Sequence, residues 1–309
     1  MKRAVVTGAT GMIGAALVEY LVGQGVEVLA ICRPESKRKD HIVEHPNVKI
    51  YDVALEELYK MEHLHTYDVF FHLAWSGTDA NSRSDVEVQN KNVQYTLDAV
   101  KLAKGMNCHT FVGGGSQAEY GRSESRLSDS TPICPETAYG IAKYTAGKLS
   151  GLLAQQLGLR HIWARILSAY GPRDGKTTKI MSTIYKILSG EVPKLTKGEQ
   201  LWDYVYVADV VRALYLLAVK GKSMNTYCIG SGQAVPLKEY FFEIKEAVNP
   251  GMTVDIGARP YAPDQVMYLC ADLSKLTRDT GFTPEIGFRE GIRRTVVYCK
   301  EIRGSGTND

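Results

Sequence analysis

Thr7-Gly8-Ala9-Thr10-Gly11-Met12-Ile13-Gly14 decides how this chain is read. A short strand-like run, Arg3 to Thr7, leads into it. Met12 to Val22 leaves it with helical spacing and stops at Gly25. Glycines placed between a strand and a helix permit a tight turn, a close backbone approach to a pyrophosphate, and close packing of the helix on the strand. The first-turn N–H groups of that helix then face the phosphates. Gly8, Thr10, Gly11, Met12, Ile13 and Gly14 are the residues that would line such a cradle.

Working outward, strand runs alternate with helical patterns. Val26–Cys32, Val48–Tyr51, Val69–Leu73, Thr110–Val112 and Ile162–Leu167 read as strands. Ser84 and Glu87 form a capping-box pattern before a helix striped by Val86, Val93, Leu97 and Val100, with Gly105 as its stop. A second long helix runs from about Tyr139 to Leu157. This alternation predicts an α/β fold, a Rossmann-type doubly wound parallel sheet. After Gly171-Pro172 the pattern breaks into isolated strands and longer loops. Residues 1–168 read as the NAD(P)-binding domain and 169–309 as a smaller C-terminal substrate-binding region, with about 203–230 returning to the core. Helices are expected at Val210–Val219, Leu237–Val248 and Gly291–Ile302, with Tyr240-Phe241-Phe242 as a core face and Gly304–Asp309 as a frayed tail.

The end of the second strand bears on the cofactor. An acidic residue there suits the ribose 2′-hydroxyl of NAD, and an arginine suits the 2′-phosphate of NADP. The chain has Cys32-Arg33, with Lys37, Arg38 and Lys39 beyond. The reading favours NADP, with NAD possible. Asp52-Val53 would flank the adenine, and Leu73-Ala74 would line the same crevice.

Composition narrows the partners. With 44% apolar and 23% charged residues, the 309-residue chain has the make-up of an ordinary folded protein. A net charge of +3 gives no reason to expect a nucleic-acid or membrane partner. No apolar stretch reaches a membrane span. Met1-Lys2-Arg3 imitates a signal peptide, but Gly8, Gly11 and Gly14 break up the apolar segment behind it. Six dispersed cysteines read as reduced, mostly buried and cytoplasmic. His63 and His65 beside Glu62 lack further ligands, so no metal site is expected.

Three residues carry the chemistry: Ser116, Tyr139 and Lys143. Tyr139 and Lys143 are four apart, on one face of a helix. A lysine ammonium near a phenol favours the phenolate. The tyrosine then exchanges a proton with a sugar hydroxyl or ketone. Ser116 follows Gly113-Gly114-Gly115 at a strand end, placed to hydrogen-bond the same oxygen. Tyr144 and Lys148 repeat the spacing but point about 140° away around the helix. The first pair is preferred because Tyr139 opens the helix.

These pieces resemble the extended short-chain dehydrogenase/reductases of the NAD-dependent epimerase/dehydratase group. The matching stretches are Gly8-x-x-Gly11-x-x-Gly14, His72-Leu73-Ala74, Asn92, Ser116 before Tyr120-Gly121, and Pro135-x-x-x-Tyr139-x-x-x-Lys143. They continue with Arg165 to Gly171-Pro172, Asp203-Tyr204-Val205-Tyr206-Val207-x-Asp209, and Asp272 to Lys275. The resemblance implies a nucleotide-diphosphate sugar as substrate and hydride transfer at a sugar carbon, commonly C4. It also implies a homodimer joined through helices at about Ser84–Lys104 and Tyr139–Gln156. It adds Asn92 and Ile166 to the cofactor contacts, and Ser76, Gln117, Ser168, Arg173, Trp202 and Arg259 to the substrate contacts.

Departures narrow the reaction. Family dehydratases carry Asp-Glu after the catalytic Ser/Thr, where this chain has Gln117-Ala118, so a dehydratase is not expected. Glu119 comes one position late. Relatives often have an asparagine near Ser168 and an arginine at Trp202. Arg259, in the turn Arg259 to Asp264, and Arg173 remain for the diphosphate. The stretch Gly115 to Gly121 with Gln200-Leu201-Trp202-Asp203 resembles the CDP-abequose synthase-like branch. The lead expectation is therefore a 4-ketoreductase of an NDP-4-keto-6-deoxyhexose in polysaccharide biosynthesis. An NDP-sugar 4-epimerase with bound NAD is the alternative, and a non-catalytic NAD(P)-sensing protein is a third reading.

Overall fold

β1 (Arg3–Thr7) lies inside a seven-stranded sheet in the computed structural model, which describes residues 1–61, 65–79, 81–263 and 265–304. The chain continues through α1 (Met12–Gly23), β2 (Glu27–Cys32), β3 (Val48–Asp52), β4 (Val69–His72), α2 (Val86–Gly105), β5 (Thr110–Ser116), α3 (Ala138–Gln156) and β6 (Arg160–Ile166). Then come β7 (Ser168–Tyr170), α4 (Lys179–Leu188), β8 (Lys194–Leu195), β9 (Leu201–Trp202), β10 (Tyr204–Tyr206), α5 (Val207–Lys220) and β11 (Asn225–Ile229). β12 (Val235–Pro236), α6 (Leu237–Val248), β13 (Asp255–Ile256), α7 (Ser274–Thr280) and α8 (Phe288–Gly304) complete it.

The sheet order is β11-β6-β5-β4-β1-β2-β3, and every pairing is parallel. A parallel sheet buries both faces, and β1 shows how. Ala4 and Val6 face the core formed with α1 and α5, while Val5 faces the one formed with α2. This is the doubly wound α/β arrangement of a Rossmann-type fold, with the chain crossing between halves at β1 and β4.

Several local expectations are corrected. The cap of α2 is Asp85, whose carboxylate accepts from the Val88 N–H, and Ser84 ends a preceding 3-10 turn. The helix is closed by Asn107 in a left-handed conformation (φ 55°), not by Gly105. Its inner face is largely polar: Gln89, Asn92 and Thr96 are buried beside Ala99 and Val100, while Val86 is exposed. The strand Thr110–Val112 extends through the glycine run to Ser116. A Cβ at Gly113 or Gly115 would lie 2.3 or 2.4 Å from the Trp163 indole, so these glycines make room for a ring on the neighbouring strand. Phe242 is exposed, although Tyr240 and Phe241 are buried. The tail expectation fails at Gly304, which is helical, and otherwise lies outside the described residues.

The C-terminal elements hang on the sheet through buried carboxylates. Asp203 accepts from the Ser231, Gly232 and Ala271 N–H groups, and Asp209 from those of Glu285 and Ile286. Small pairings, β7 with β10, β9 with β12 and β8 with β13, build the surface beyond the carboxyl ends of the strands. All six cysteines are free, and all but Cys134 are buried. No described helix is long and apolar enough to cross a membrane.

Candidate active site

At the first turn Gly8 has φ 71°, and a Cβ there would meet the Ala74 backbone at 2.7 Å. A Cβ on Gly14 would come 2.1 Å from the Gly8 carbonyl oxygen. Two close approaches thus bring the mouth of α1 onto the end of β1, beside Leu73-Ala74. Gly11 gives the helix no side-chain cap, so no capping side chain intrudes on Thr10, Gly11, Met12 and Ile13. The cradle fits a pyrophosphate. The site is braced from below, where the Thr7 hydroxyl pairs with His72 Nδ1 at 2.9 Å. Burial, reinforced by the nearby Lys143 charge, pushes the His72 pKa down to about 3, so the ring is neutral.

At the adenosine end, Arg33 is exposed. Asp52 accepts from Lys39 Nζ at 2.6 Å and from Cys32 Sγ at 3.3 Å, and the Val53 N–H donates to the Cys32 carbonyl. Thr10 is tied to this edge by the Ser36 hydroxyl at 3.2 Å.

The proposed catalytic residues converge. Ser116 ends β5, paired in register with Ile166. Thr137 caps α3 through the Gly140 N–H, which sets Tyr139 and Lys143 on the face turned to β5. Both are buried, and the Ser116 and Tyr139 side chains are hydrogen-bonded. Lys148 is exposed and lies over the ring of half-buried Tyr144, away from this cluster.

The electrostatics differ from the sequence expectation. Lys143 Nζ donates to the Gly114 carbonyl at 2.6 Å, lies 3.7 Å from the Trp75 ring centroid, and stands 5.9 Å from that of Tyr139. Burial, opposed by Glu119 and aided by Arg83, lowers its pKa to about 7. Burial likewise raises the Tyr139 pKa, and the groups that pull it back are Arg83 and the Ser116 hydrogen bond. The lysine thus stands near the phenol but takes its direct contacts from the Gly114 carbonyl and the Trp75 ring.

Glu119 is wholly buried. It accepts from the Ser116 N–H at 2.8 Å and from Trp163 Nε1 at 2.9 Å, and pairs with Arg165 Nε at 2.6 Å. It completes a capping box with Ser116, so the carboxylate is part of the framework under the site.

The remaining candidates scatter. Asn92 accepts from the Ser76 N–H and donates to the Ser76 carbonyl, so its amide holds that loop. Gln117 is half-buried beside the Ser116 hydroxyl. Trp202 Nε1 donates to Ser168 Oγ at 2.9 Å, which brings two expected substrate contacts together. Arg259 is exposed, and its charge lowers the pKa of Lys179, second to burial. Arg173 pairs with Glu19 on α1 at 2.9 Å. Gln200, buried behind Trp202, has a side-chain oxygen without a hydrogen-bond partner. Asp264, Glu62 and His63 lie outside the described residues, and His65 is exposed.

Sequence reasoning missed Trp75, Arg83 and Gln89. Gln89 is buried, accepts from Trp75 Nε1, and donates to the carbonyls of Gly77 and Ser82. A tryptophan directly after His72-Leu73-Ala74 was the available signal.

Comparison with known proteins bears on the family and the fold. The model of the NAD dependent epimerase/dehydratase family matches residues 4–230. UDP-glucuronic acid decarboxylase 1 of Arabidopsis thaliana is 26% identical, over 95% of this chain and 69% of its own. UDP-glucose 4-epimerase of Thermotoga maritima, solved with UDP-glucose, is 25% identical with a TM-score of 0.87, covering 97% of this chain and 99% of that one. The solved structure of MoeE5 in complex with UDP-glucose and NAD is 26% identical with a TM-score of 0.83, covering 97% and 99%.

Proposed function

The chain belongs to the NAD dependent epimerase/dehydratase family, and on that premise we propose that it is a nucleotide-sugar oxidoreductase acting at a sugar 4-carbon. The carrying observation is the convergence of Ser116, Tyr139 and Lys143 at the end of β5, at the same carboxyl end of the parallel strands as the Gly8–Gly14 cradle. The dinucleotide held there supplies or takes the hydride when bound. Tyr139 gives its phenolic proton to the ketone oxygen as that oxygen gains charge, and Ser116 hydrogen-bonds the same oxygen. Lys143, anchored on the Gly114 carbonyl, holds its place beside the reacting centre. Elimination of water across a sugar needs a further acid–base pair. Gln117 and Ala118 cannot supply it, and Glu119 is committed to three donors.

Net reduction of an NDP-4-keto-6-deoxyhexose is the reading favoured by the adenosine end. There Cys32 and an exposed Arg33 stand where an acidic ribose ligand would select NAD, which suits NADPH. The second reading is 4-epimerisation with retained NAD, favoured by the likeness to the Thermotoga epimerase over nearly the whole chain. In both, Ser168, Trp202 and Arg259 form the substrate side. Residues 1–168 serve the cofactor and the remainder chiefly the sugar nucleotide. A homodimer through α2 and α3 is supported by Ile141, Leu149 and Leu152, which α3 leaves exposed.

The test gives the purified protein NADPH, then NADH, with a panel of UDP-, dTDP-, CDP- and GDP-4-keto sugars, and follows nicotinamide absorbance. Stoichiometric loss with NADPH supports the reductase. Interconversion of two sugars without net loss replaces it with the epimerase. Tyr139→Phe abolishes turnover on either reading, and Tyr144→Phe does not.

A further inference from the structure

We propose that Arg83, which the reaction above does not use, is the positioning residue that holds the Tyr139 phenol ready for proton transfer, by setting its guanidinium over the phenol ring. The guanidinium carbon stands 4.7 Å from the Tyr139 ring centroid, closer than the Lys143 ammonium at 5.9 Å. A cation at this distance over an aromatic face is attracted to the ring and favours the ionised phenol.

The segment that carries Arg83 is built for the purpose. Its Nε donates to the Thr78 carbonyl at 2.9 Å, and its N–H to the Asp79 carbonyl. The Asp79 carboxylate in turn accepts from the Asn81 and Ser82 N–H groups. The Gln89 amide pins both ends of the loop, at the Gly77 and Ser82 carbonyls, and also holds Trp75. Trp75 packs edge-on to Tyr139 at 6.0 Å and lies under the Lys143 ammonium. The lysine is thus bound to the indole and to a carbonyl, and the arginine stands closer to the phenol ring than the lysine does.

The groups facing Tyr139 are few and come from separate elements. Arg83 and the Ser116 hydroxyl favour the ionised form, and Glu119, beneath β5, opposes it. Lys143, one turn along α3, has its charge weakened by burial and by Arg83 itself. Of the two cations near the phenol, the guanidinium is the one that stands closer to the ring.

The inference rests on Tyr139 as the proton donor, so its test includes a readout that needs no turnover. Arg83→Met and Arg83→Lys are made in the full-length chain, each with and without Tyr139→Phe. The near-ultraviolet phenolate band is titrated with oxidised dinucleotide at saturation. Subtracting each Tyr139→Phe partner isolates one tyrosine among 18. Arg83→Met is expected to move the Tyr139 titration up by about one pH unit, and Arg83→Lys to restore at least half of that. The pH limb of kcat/KM moves by the same amount in the same direction. An unmoved titration overturns the proposal. So does a change in KM alone, which would make Arg83 a substrate contact. If the wild-type protein turns over no sugar in the panel but the titration still moves, the reaction assignment falls while the Arg83 assignment stands.

Discussion

Glu119→Gln separates framework from chemistry. The wild-type carboxylate receives three donors, the Ser116 N–H, Trp163 Nε1 and Arg165 Nε, with no exposed surface. A glutamine has one acceptor oxygen and brings an NH2 group of its own. At least one donor then faces another donor, and the Arg165 guanidinium, whose side chain is 5% exposed, loses its counter-charge. Breaking a buried ion pair from one side costs about 3–5 kcal/mol. For a chain of this size that is a fall in Tm of roughly 5–8 °C. Thermal unfolding by circular dichroism measures it. The double variant Glu119→Gln/Arg165→Met is expected to regain about 2 kcal/mol over the sum of the single losses, because the stranded charge is gone. Turnover is expected to change only through displacement of Ser116 and the loss of the Glu119 charge felt by Tyr139 and Lys143. A Glu119→Gln protein within about 1 kcal/mol of wild type that has lost its activity would refute this and return Glu119 to the chemistry.

Two further outcomes follow from the same geometry. Gly14→Ala places a methyl group 2.1 Å from the Gly8 carbonyl, so α1 must lift from β1; dinucleotide affinity, measured by nucleotide fluorescence, is expected to fall at least tenfold. Lys143→Met changes the pH dependence of stability. The folded pKa of about 7 lies below the ordinary lysine value of about 10.4, so the unfolded chain binds more protons between them. Wild-type stability therefore rises with pH across that window, with a slope approaching about 1.4 kcal/mol per unit, and the slope is absent from the variant. Denaturant titrations at stepped pH check this, and equal slopes would contradict the burial of the ammonium.

Most of the framework was legible in the chain because it rests on local chemistry. The glycine spacing after Arg3–Thr7 admits few backbones, and strands alternating with helices lead to a parallel sheet. The pair Tyr139 and Lys143 shares a helix face by periodicity alone, and Ser116 ends the strand beside them. Departures from the family pattern at Gln117, Ala118 and Trp202 were also readable, since each is a statement about which functional groups exist at a position.

What the sequence could not supply was direction and distance across the fold. Arg173 was a fair phosphate candidate by type, and only the fold shows that it lies beside Glu19 of α1, with which it pairs. Glu119 was out of register for catalysis, but only the packing of β5 on β6 shows Trp163 and Arg165 claiming it. The strand was read only as far as Val112, because nothing local reveals the indole that fills the space above Gly113 and Gly115. The Tyr139–Lys143 spacing implied that the lysine tunes the phenol, while the fold takes the ammonium to Trp75 and Gly114 and brings Arg83, 56 positions away in the chain, over the ring. Coulomb interactions and burial depend on separation in space, so a chain fixes which charges it owns, and the tertiary structure decides which of them meet.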